Sequence, residues 1–528
     1  MLKPTRPAPR AYREQGYWAD RTLTSYLVTA PADRLALTEG GRRFTYGELT
    51  DLTGRLAGAL AGIGVHQHDV VTVELPNWWE AALTFHALAW AGCVTNPVVP
   101  IYRQDELTFI LRQARSAVVV VPHVFRGFDY VEMMREILPR LDHRPTVVVV
   151  RPQGPLPEDF VAFDDLLTGA DRPEPVGDPD DICLLLYTSG TTSEAKGVLH
   201  NHQTIVFEMQ SIIDWMALTE DDRTFMGSPV GHLTGIVYGV WLPTLLRQST
   251  SLLDVWEPGR AVDIIEGDRC TFSLGATPFL RGLVDEYARR GTPSALTTFL
   301  CGGADVPPAL IRQARRQLDA TVSRSYGSSE LPVYCTSGPA ISPDIAAETD
   351  GLPIPPDDGY LINVTDGVGE LVARGPELFL GYLDPALNAE AFTPDGFFRT
   401  GDLATISPEG AVAIQGRSKD IIIRGGENIS AAQVEQHLLE HPAIADVAVV
   451  AMPDEKLGEK ACAFVVAAAG ADPVAPPDLV AFLTGRGVAI QKCPERVETV
   501  AELPRTPSGK IQKFLLREQV KALIGGAA

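Results

Sequence analysis

Between Tyr187 and Gly197 the chain reads Tyr-Thr-Ser-Gly-Thr-Thr-Ser-Glu-Ala-Lys-Gly, directly after the apolar segment 183–186. The hydroxyls of Thr188, Ser189, Thr191, Thr192 and Ser193 surround Gly190, and Lys196 closes the run. A strand that runs into such a loop is a phosphate cradle, because backbone N–H groups and hydroxyls donate to phosphate oxygens while lysine adds charge. It is not the Walker A pattern, which ends Gly-Lys-Ser/Thr, whereas here lysine precedes glycine. Taken alone, a solvated polar turn is the plainer alternative. His66 with His68, and His200 with His202, have spacings open to metal pairs; without a matching cysteine or carboxylate cluster they read as solvent-facing loop histidines.

Positioning such a loop requires a sheet, and the surrounding pattern supplies one. Thr45 and Glu48 form a capping box, followed by Leu49, Leu52, Leu56 and Leu60 at helical spacing up to Gly62 and Gly64. Strands are expected over 70–75, 117–121, 146–150, 183–187 and 361–364. Apolar strands separated by helices indicate α/β layers with sheets covered on both faces. A boundary falls near 415–430, where glycines 416, 425 and 426 mix with alternating charges before Ser430 and Gln433 open another helix with a capping box. The expected division is a large, multi-subdomain α/β N-terminal part, 1–418, and a small C-terminal α+β domain, 419–528.

The 528 residues are 45% hydrophobic and 21% charged, a composition that excludes disorder, collagen and coiled coil and calls for at least two cores. There are 45 Lys and Arg against 67 Asp and Glu, a net charge of −22, which argues against broad nucleic-acid or anionic-membrane binding. Residues 419–528 hold 12 basic and 14 acidic residues, so the acidity lies almost wholly in the N-terminal part. An anionic substrate therefore needs a local electropositive site. The seven cysteines are scattered singly and read as reduced thiols. The first ten residues have charge and proline with no apolar core behind them, unlike a signal peptide, and no apolar run reaches the ~20 residues of a membrane span. The expected location is cytoplasmic.

The hydroxyl loop resembles that of the acyl-CoA synthetase, luciferase and peptide-synthetase adenylation superfamily, Ser/Thr-Ser-Gly-Thr-Thr-Gly-x-Pro-Lys-Gly, and the resemblance extends over nearly the whole chain. It implies that Thr188, Ser189, Gly190, Thr191, Thr192 and Lys196 hold the β- and γ-phosphates of ATP. Ser193 stands where the family has glycine and Ala195 where it has proline; both changes bear on the loop's grip. In Cys301-Gly-Gly-Ala-Asp305 and Tyr326-Gly-Ser-Ser-Glu330, the resemblance implies that Gly303, Ala304 and Tyr326 sandwich the adenine. Ser329 would meet the α-phosphate and Glu330 would hold Mg²⁺, as a hard carboxylate ligand suits. In Phe398-Arg-Thr-Gly-Asp402 the aspartate would accept both ribose hydroxyls, and Arg417 would contact the ribose. Lys419 occupies the hinge position.

Lys510, in Pro504-Arg-Thr-Pro-Ser-Gly-Lys510, would sit between the substrate carboxylate and the α-phosphate, and Gly426 would line the pantetheine tunnel. His232 would gate the acyl pocket, whose lining would include His232, Ala276, Gly302, Gly327, Ser328 and Leu331. The implied reaction is adenylation of a carboxylic acid by ATP and then capture of the acyl-adenylate by coenzyme A. A carrier-protein acceptor is the less favoured option. The segments at His232, Leu274–Phe279, Cys301 and Arg424–Ser430 look most like those of medium-chain and cyclohexanecarboxylate CoA ligases, which favours a medium-chain, alicyclic or polycyclic (terpenoid) acid. The alternative is an enzyme that has lost adenylation and thioesterifies an acyl-adenylate supplied by a partner ligase.

Overall fold

Thr45 opens the helix Tyr46–Gly62: its hydroxyl accepts from Glu48 N, and Glu48 Oε2 accepts from Thr45 N at 2.8 Å. Two N–H groups at the helix start are thereby satisfied reciprocally. Leu49, Leu56 and Leu60 are buried along one face, with Leu52 half-buried beside them. The computed structural model in which these contacts are seen describes residues 2–6, 11–168, 171–188, 195–303, 306–417, 420–424, 427–454, 456–486, 488–506 and 509–525.

The fold is mixed α/β with a large N-terminal part and a smaller C-terminal one. One sheet runs in the order Gly197–Asn201, Ile182–Tyr187, Val94–Pro97, Val70–Val73, Val118–Pro122, Thr146–Val150, Phe160–Ala162, with its neighbours parallel except for the first pair. Four of the expected strands form here, offset by at most two residues at their ends; the fifth, expected over 361–364, lies within the half-exposed antiparallel strand Asp358–Thr365 of another sheet. The second sheet has Thr321–Tyr326, Thr298–Gly302, Phe272–Gly275 and Arg223–Met226 as parallel neighbours, with further strands on both sides. The helix Trp79–Trp90 is buried along its whole length and most of its side chains belong to the same apolar cluster as strands of both sheets, while its buried Glu80 is paired with Arg151.

An antiparallel sheet follows, Asp358–Thr365, Val368–Arg374, Phe398–Ile406 and Val412–Arg417. From Ile421 onward the chain builds its own sheet on the long pair Ile444–Asp454 and Gly458–Ala467. Alternate residues of that pair feed different cores: Val447 and Val449 pack with Leu479 and Leu483, while Ala448 and Val450 pack with Leu516 and Val520. A strand with two buried faces must divide its side chains this way. Between the two sheets, Ser430 Oγ accepts from Gln433 N as the helix cap and donates to Gln415 O at 2.6 Å. Lys419 and Gly426 lie outside the described residues. No described helix is long and apolar enough to cross a membrane.

Candidate active site

The hydroxyl loop hangs between Ile182–Tyr187 and the antiparallel strand Gly197–Asn201. Its stem is closed by Thr188 N donating to Lys196 O at 3.0 Å. Ser189, Gly190, Thr191, Thr192 and Ser193 lie outside the described residues, as does Ala304. The Lys196 ammonium rests 4.9 Å from the ring centroid of Tyr382.

The remaining groups gather at the C-terminal ends of the parallel strands of the second sheet, where open α/β sheets bind ligands. Gly303 follows Thr298–Gly302 with φ +79°, a left-handed conformation suited to glycine. Tyr326 ends the next strand, and its hydroxyl donates to Asp402 Oδ2 at 2.7 Å. Arg417, paired in register with Asp402 across antiparallel strands, places Nε 3.1 Å from Oδ1. Burial pushes the Asp402 carboxyl above its ordinary value against the opposing pull of Arg417, Tyr326 and Lys510. The Asp402 charge in turn holds the Arg417 guanidinium up. Two vicinal ribose hydroxyls would thus meet a carboxylate already oriented from both sides.

After Tyr326 the chain turns sharply. Ser328 N donates to Leu331 O at 2.7 Å, and a Cβ on Gly327 would stand 1.2 Å from Pro332 O, so this turn closes only around a glycine. Gly302 is equally confined, because its Cβ would meet Ser325 Oγ at 2.4 Å. These two glycines pack against protein atoms, while Ala276 and Leu331 are buried near the strand ends. Ser328 Oγ accepts from Glu330 N and Leu331 N, fixing the turn from inside. Glu330 Oε1 accepts from Tyr382 OH at 2.8 Å, and no other hydrogen bond reaches this carboxylate among the described residues. A half-buried carboxylate with free lone pairs, facing the lysine of the phosphate loop across one tyrosine, fits Mg²⁺.

Lys510 arrives from the C-terminal domain. Thr506 Oγ1 accepts from its backbone N at 3.0 Å, while Thr506 N donates to Lys510 O at 2.7 Å, a tight hairpin at the tip of a loop. At Gly509 the loop touches the N-terminal domain, where a Cβ would lie 3.4 Å from Pro278 and 3.8 Å from Ala276. Burial pushes the Lys510 ammonium below its usual range, as does the Arg417 charge; Asp402 and Glu330 oppose both. His232 is held down to about 4, first by burial and then by the Lys510 charge, so it is neutral at pH 7.

His200 and His202 are not solvent-facing. The strand Gly197–Asn201 is buried throughout, and His200 Nε2 lies 2.8 Å from Ser329 O with Nδ1 3.1 Å from Thr204 Oγ1. Because a carbonyl only accepts, Nε2 carries the proton. His200 sits in this covered strand and His202 begins the helix C-terminal to it, His202–Met216, where it is also buried; His66 is exposed as expected and His68 half-buried. Sequence reasoning also missed Tyr382, which touches both Lys196 and Glu330 from a distant segment.

The profile of the AMP-binding enzymes matches residues 26–383, and that of the AMP-binding enzyme C-terminal domain matches 433–510. Over 530 residues the chain is 34% identical to a medium-chain fatty-acid–CoA ligase of Escherichia coli (strain K12), covering 97% of this chain and 92% of that one. ATP-bound MatB from Rhodopseudomonas palustris superposes with a TM-score of 0.85 at 25% identity, covering 96% of this chain and 100% of that one. The apo form of the same protein, with the same coverage, gives 0.73.

Proposed function

The chain belongs to the AMP-binding enzymes and is an AMP-forming acid–thiol ligase of the acyl-CoA ligase type, and on that premise we propose that it activates a hydrophobic carboxylic acid and completes both half-reactions itself. The acid we assign is medium-chain, alicyclic or polycyclic, terpenoid acids included. The observation that carries this reading is the delivery of Lys510 to the ends of the parallel strands, beside His232, Asp402, Arg417 and Glu330.

A carboxylate lying against Lys510 has its charge compensated as it approaches the triphosphate, and its tail points toward Ala276, Leu331 and the neutral His232. Attack of the carboxylate oxygen on the α-phosphorus forms the acyl-adenylate and expels pyrophosphate. The lysine acts electrostatically, and no general base is needed because the attacking oxygen is already anionic. The stem Thr188–Lys196 would hold the departing phosphates, and Asp402 with Arg417 would fix the ribose. When bound, Mg²⁺ on Glu330 would neutralise phosphate charge.

In the second step the coenzyme A thiol attacks the acyl carbon and AMP leaves. We assign the pivot between steps to Lys419, dividing the chain into 1–418 and 419–528, and the thiol channel to Gly426. The better match to ATP-bound than to apo MatB supports an adenylation arrangement here. The seven buried, unpaired cysteines fit a reducing compartment, the cytoplasm.

The loss-of-adenylation reading draws on Ser193 and Ala195. Against it, the loop stem closes and Lys510, Glu330, Asp402 and Arg417 converge. A panel of carboxylic acids tests both, scored by ATP–pyrophosphate exchange and, separately, as synthetic adenylates with coenzyme A. Exchange with a hydrophobic acid is the expected result. Thioester formation from adenylates with no exchange for any acid would overturn the proposal in favour of a partner ligase.

A further inference from the structure

The segment Phe379–Leu383 lies between the phosphate-loop stem and the turn that carries Glu330, and its backbone is bonded to both. Leu383 N donates to Gly197 O at 2.7 Å, Leu380 N to Leu199 O at 2.8 Å, and Phe379 N to Glu330 O at 2.8 Å. Tyr382 is itself pinned: Asn388 Oδ1 accepts from its N–H at 3.0 Å, and Thr5 Oγ1 donates to its carbonyl at 2.8 Å. Its ring, 3% exposed, packs edge-on against Phe379 with centroids 4.8 Å apart. From this fixed base the hydroxyl donates to Glu330 Oε1 at 2.8 Å while the ring face carries the Lys196 ammonium at 4.9 Å.

We propose that Tyr382 is a positioning residue for the metal–triphosphate end of the substrate, holding the Glu330 carboxylate and the Lys196 ammonium at fixed separation before ATP arrives. This rests on the reading of Glu330 and Lys196 given above. The two contacts do different work. The hydroxyl fixes the carboxylate rotamer and occupies one oxygen, leaving the remaining lone pairs to the cation; hydrogen bonds behind a metal ligand commonly set affinity by about 10- to 100-fold. The ring holds the ammonium by cation–π attraction and needs no hydroxyl to do so. Opposite charges left without a rigid spacer would collapse onto each other and close the phosphate site.

Tyr382→Phe separates these contributions. Calorimetric titration of the full-length enzyme with ATP, with and without Mg²⁺, is expected to show Mg²⁺–ATP affinity falling about 10-fold in this variant, while metal-free ATP binding changes far less. Tyr382→Leu, which removes the ring as well, is expected to weaken both. Pyrophosphate exchange should fall about 10-fold more in Tyr382→Phe than thioester formation from a supplied adenylate, whose pyrophosphate has already gone. Equal losses in both half-reactions would assign Tyr382 a merely structural role and overturn the proposal, as would an unchanged Mg²⁺ dependence of ATP binding. A wild-type enzyme that binds no ATP would overturn the functional reading beneath it.

Discussion

The Lys510 side chain passes over Gly303, so that a Cβ on residue 303 would stand 4.0 Å from Lys510 Cε. The two residues belong to different domains and are separated by 207 positions in the chain. The contact therefore records the docking of the C-terminal loop onto the end of the strand Thr298–Gly302. It also explains how an acidic protein of net charge −22 gathers an anionic substrate: cations are concentrated at one point, with Lys510, Arg417 and Lys196 around it.

Lys510→Ala removes the ammonium without touching the thiol channel. Pyrophosphate exchange is expected to fall by at least about 100-fold, the scale of losing one well-aimed electrostatic group. On the proposed assignment of the thiol channel to Gly426, thioester formation from a supplied adenylate should survive. Both rates dropping together would show that the lysine serves the fold or both steps.

Asp402 accepts from Tyr326 and pairs with Arg417. Asp402→Asn keeps the shape but offers one acceptor oxygen in place of two and leaves Arg417 without its counter-charge. The KM for ATP is expected to rise by about 10-fold or more, with a smaller change in kcat. A kcat loss at constant KM would place Asp402 in the chemical step instead of ribose binding.

Local signals in the sequence carried most of the fold. The capping box at Thr45 and Glu48 and the apolar runs over 117–121 and 146–150 are written in neighbouring residues, and the structure forms them there, the first run shifted by one residue to Val118–Pro122. Lys510, Asp402 and Arg417 were legible through their motifs, and the structure brings them together. What stayed hidden depends on distant packing. His200 looks polar in a row of letters, yet its strand is covered on both faces and its imidazole bonds a carbonyl 129 residues away. Tyr382 meets Glu330 across 52 positions, with no spacing rule to join them. At Gly302 and Gly327 the need for glycine comes from distant atoms as well, because the space a Cβ would take is filled by Ser325 and Pro332.

Glu208 is fully buried, and its Oε1 accepts from Tyr238 OH at 2.5 Å while Oε2 accepts from Val333 N at 3.3 Å. Burial pushes its carboxyl up to about 8, with the nearby Glu377 charge adding to the effect. The unfolded chain releases this proton near the ordinary carboxylate value, so between there and about pH 8 the folded state holds a proton that the unfolded state does not. Stability from this group is therefore fully present at low pH and falls as pH rises through that window. Glu208→Gln, neutral throughout, should flatten the decline in urea midpoint across that window. Glu208→Ala should cost about 1–3 kcal/mol at every pH by leaving buried donors unpaired. An unchanged pH slope in Glu208→Gln would show that other buried carboxyls raised by burial, such as Glu74, Asp357 and Glu377, govern it instead.

Ala195 lies at the loop stem, next to Lys196, whose carbonyl accepts from Thr188 N at 3.0 Å. In the family pattern a proline fixes this position, and its absence leaves the free loop more conformations to lose when phosphate binds. Ala195→Pro is expected to lower the KM for ATP by about 2- to 5-fold, the entropy typically saved by one compatible proline. Thioester formation from a supplied adenylate should not improve, because the β- and γ-phosphates have left by then. Adding Ser193→Gly restores the second departure from the pattern, and the pair should gain at least as much as the proline alone. If exchange is slow in the natural enzyme and rises with these changes while ATP binding tightens, loop stiffness limits the first half-reaction. If neither ATP affinity nor exchange responds, the natural residues already grip the triphosphate as well as the family pattern would.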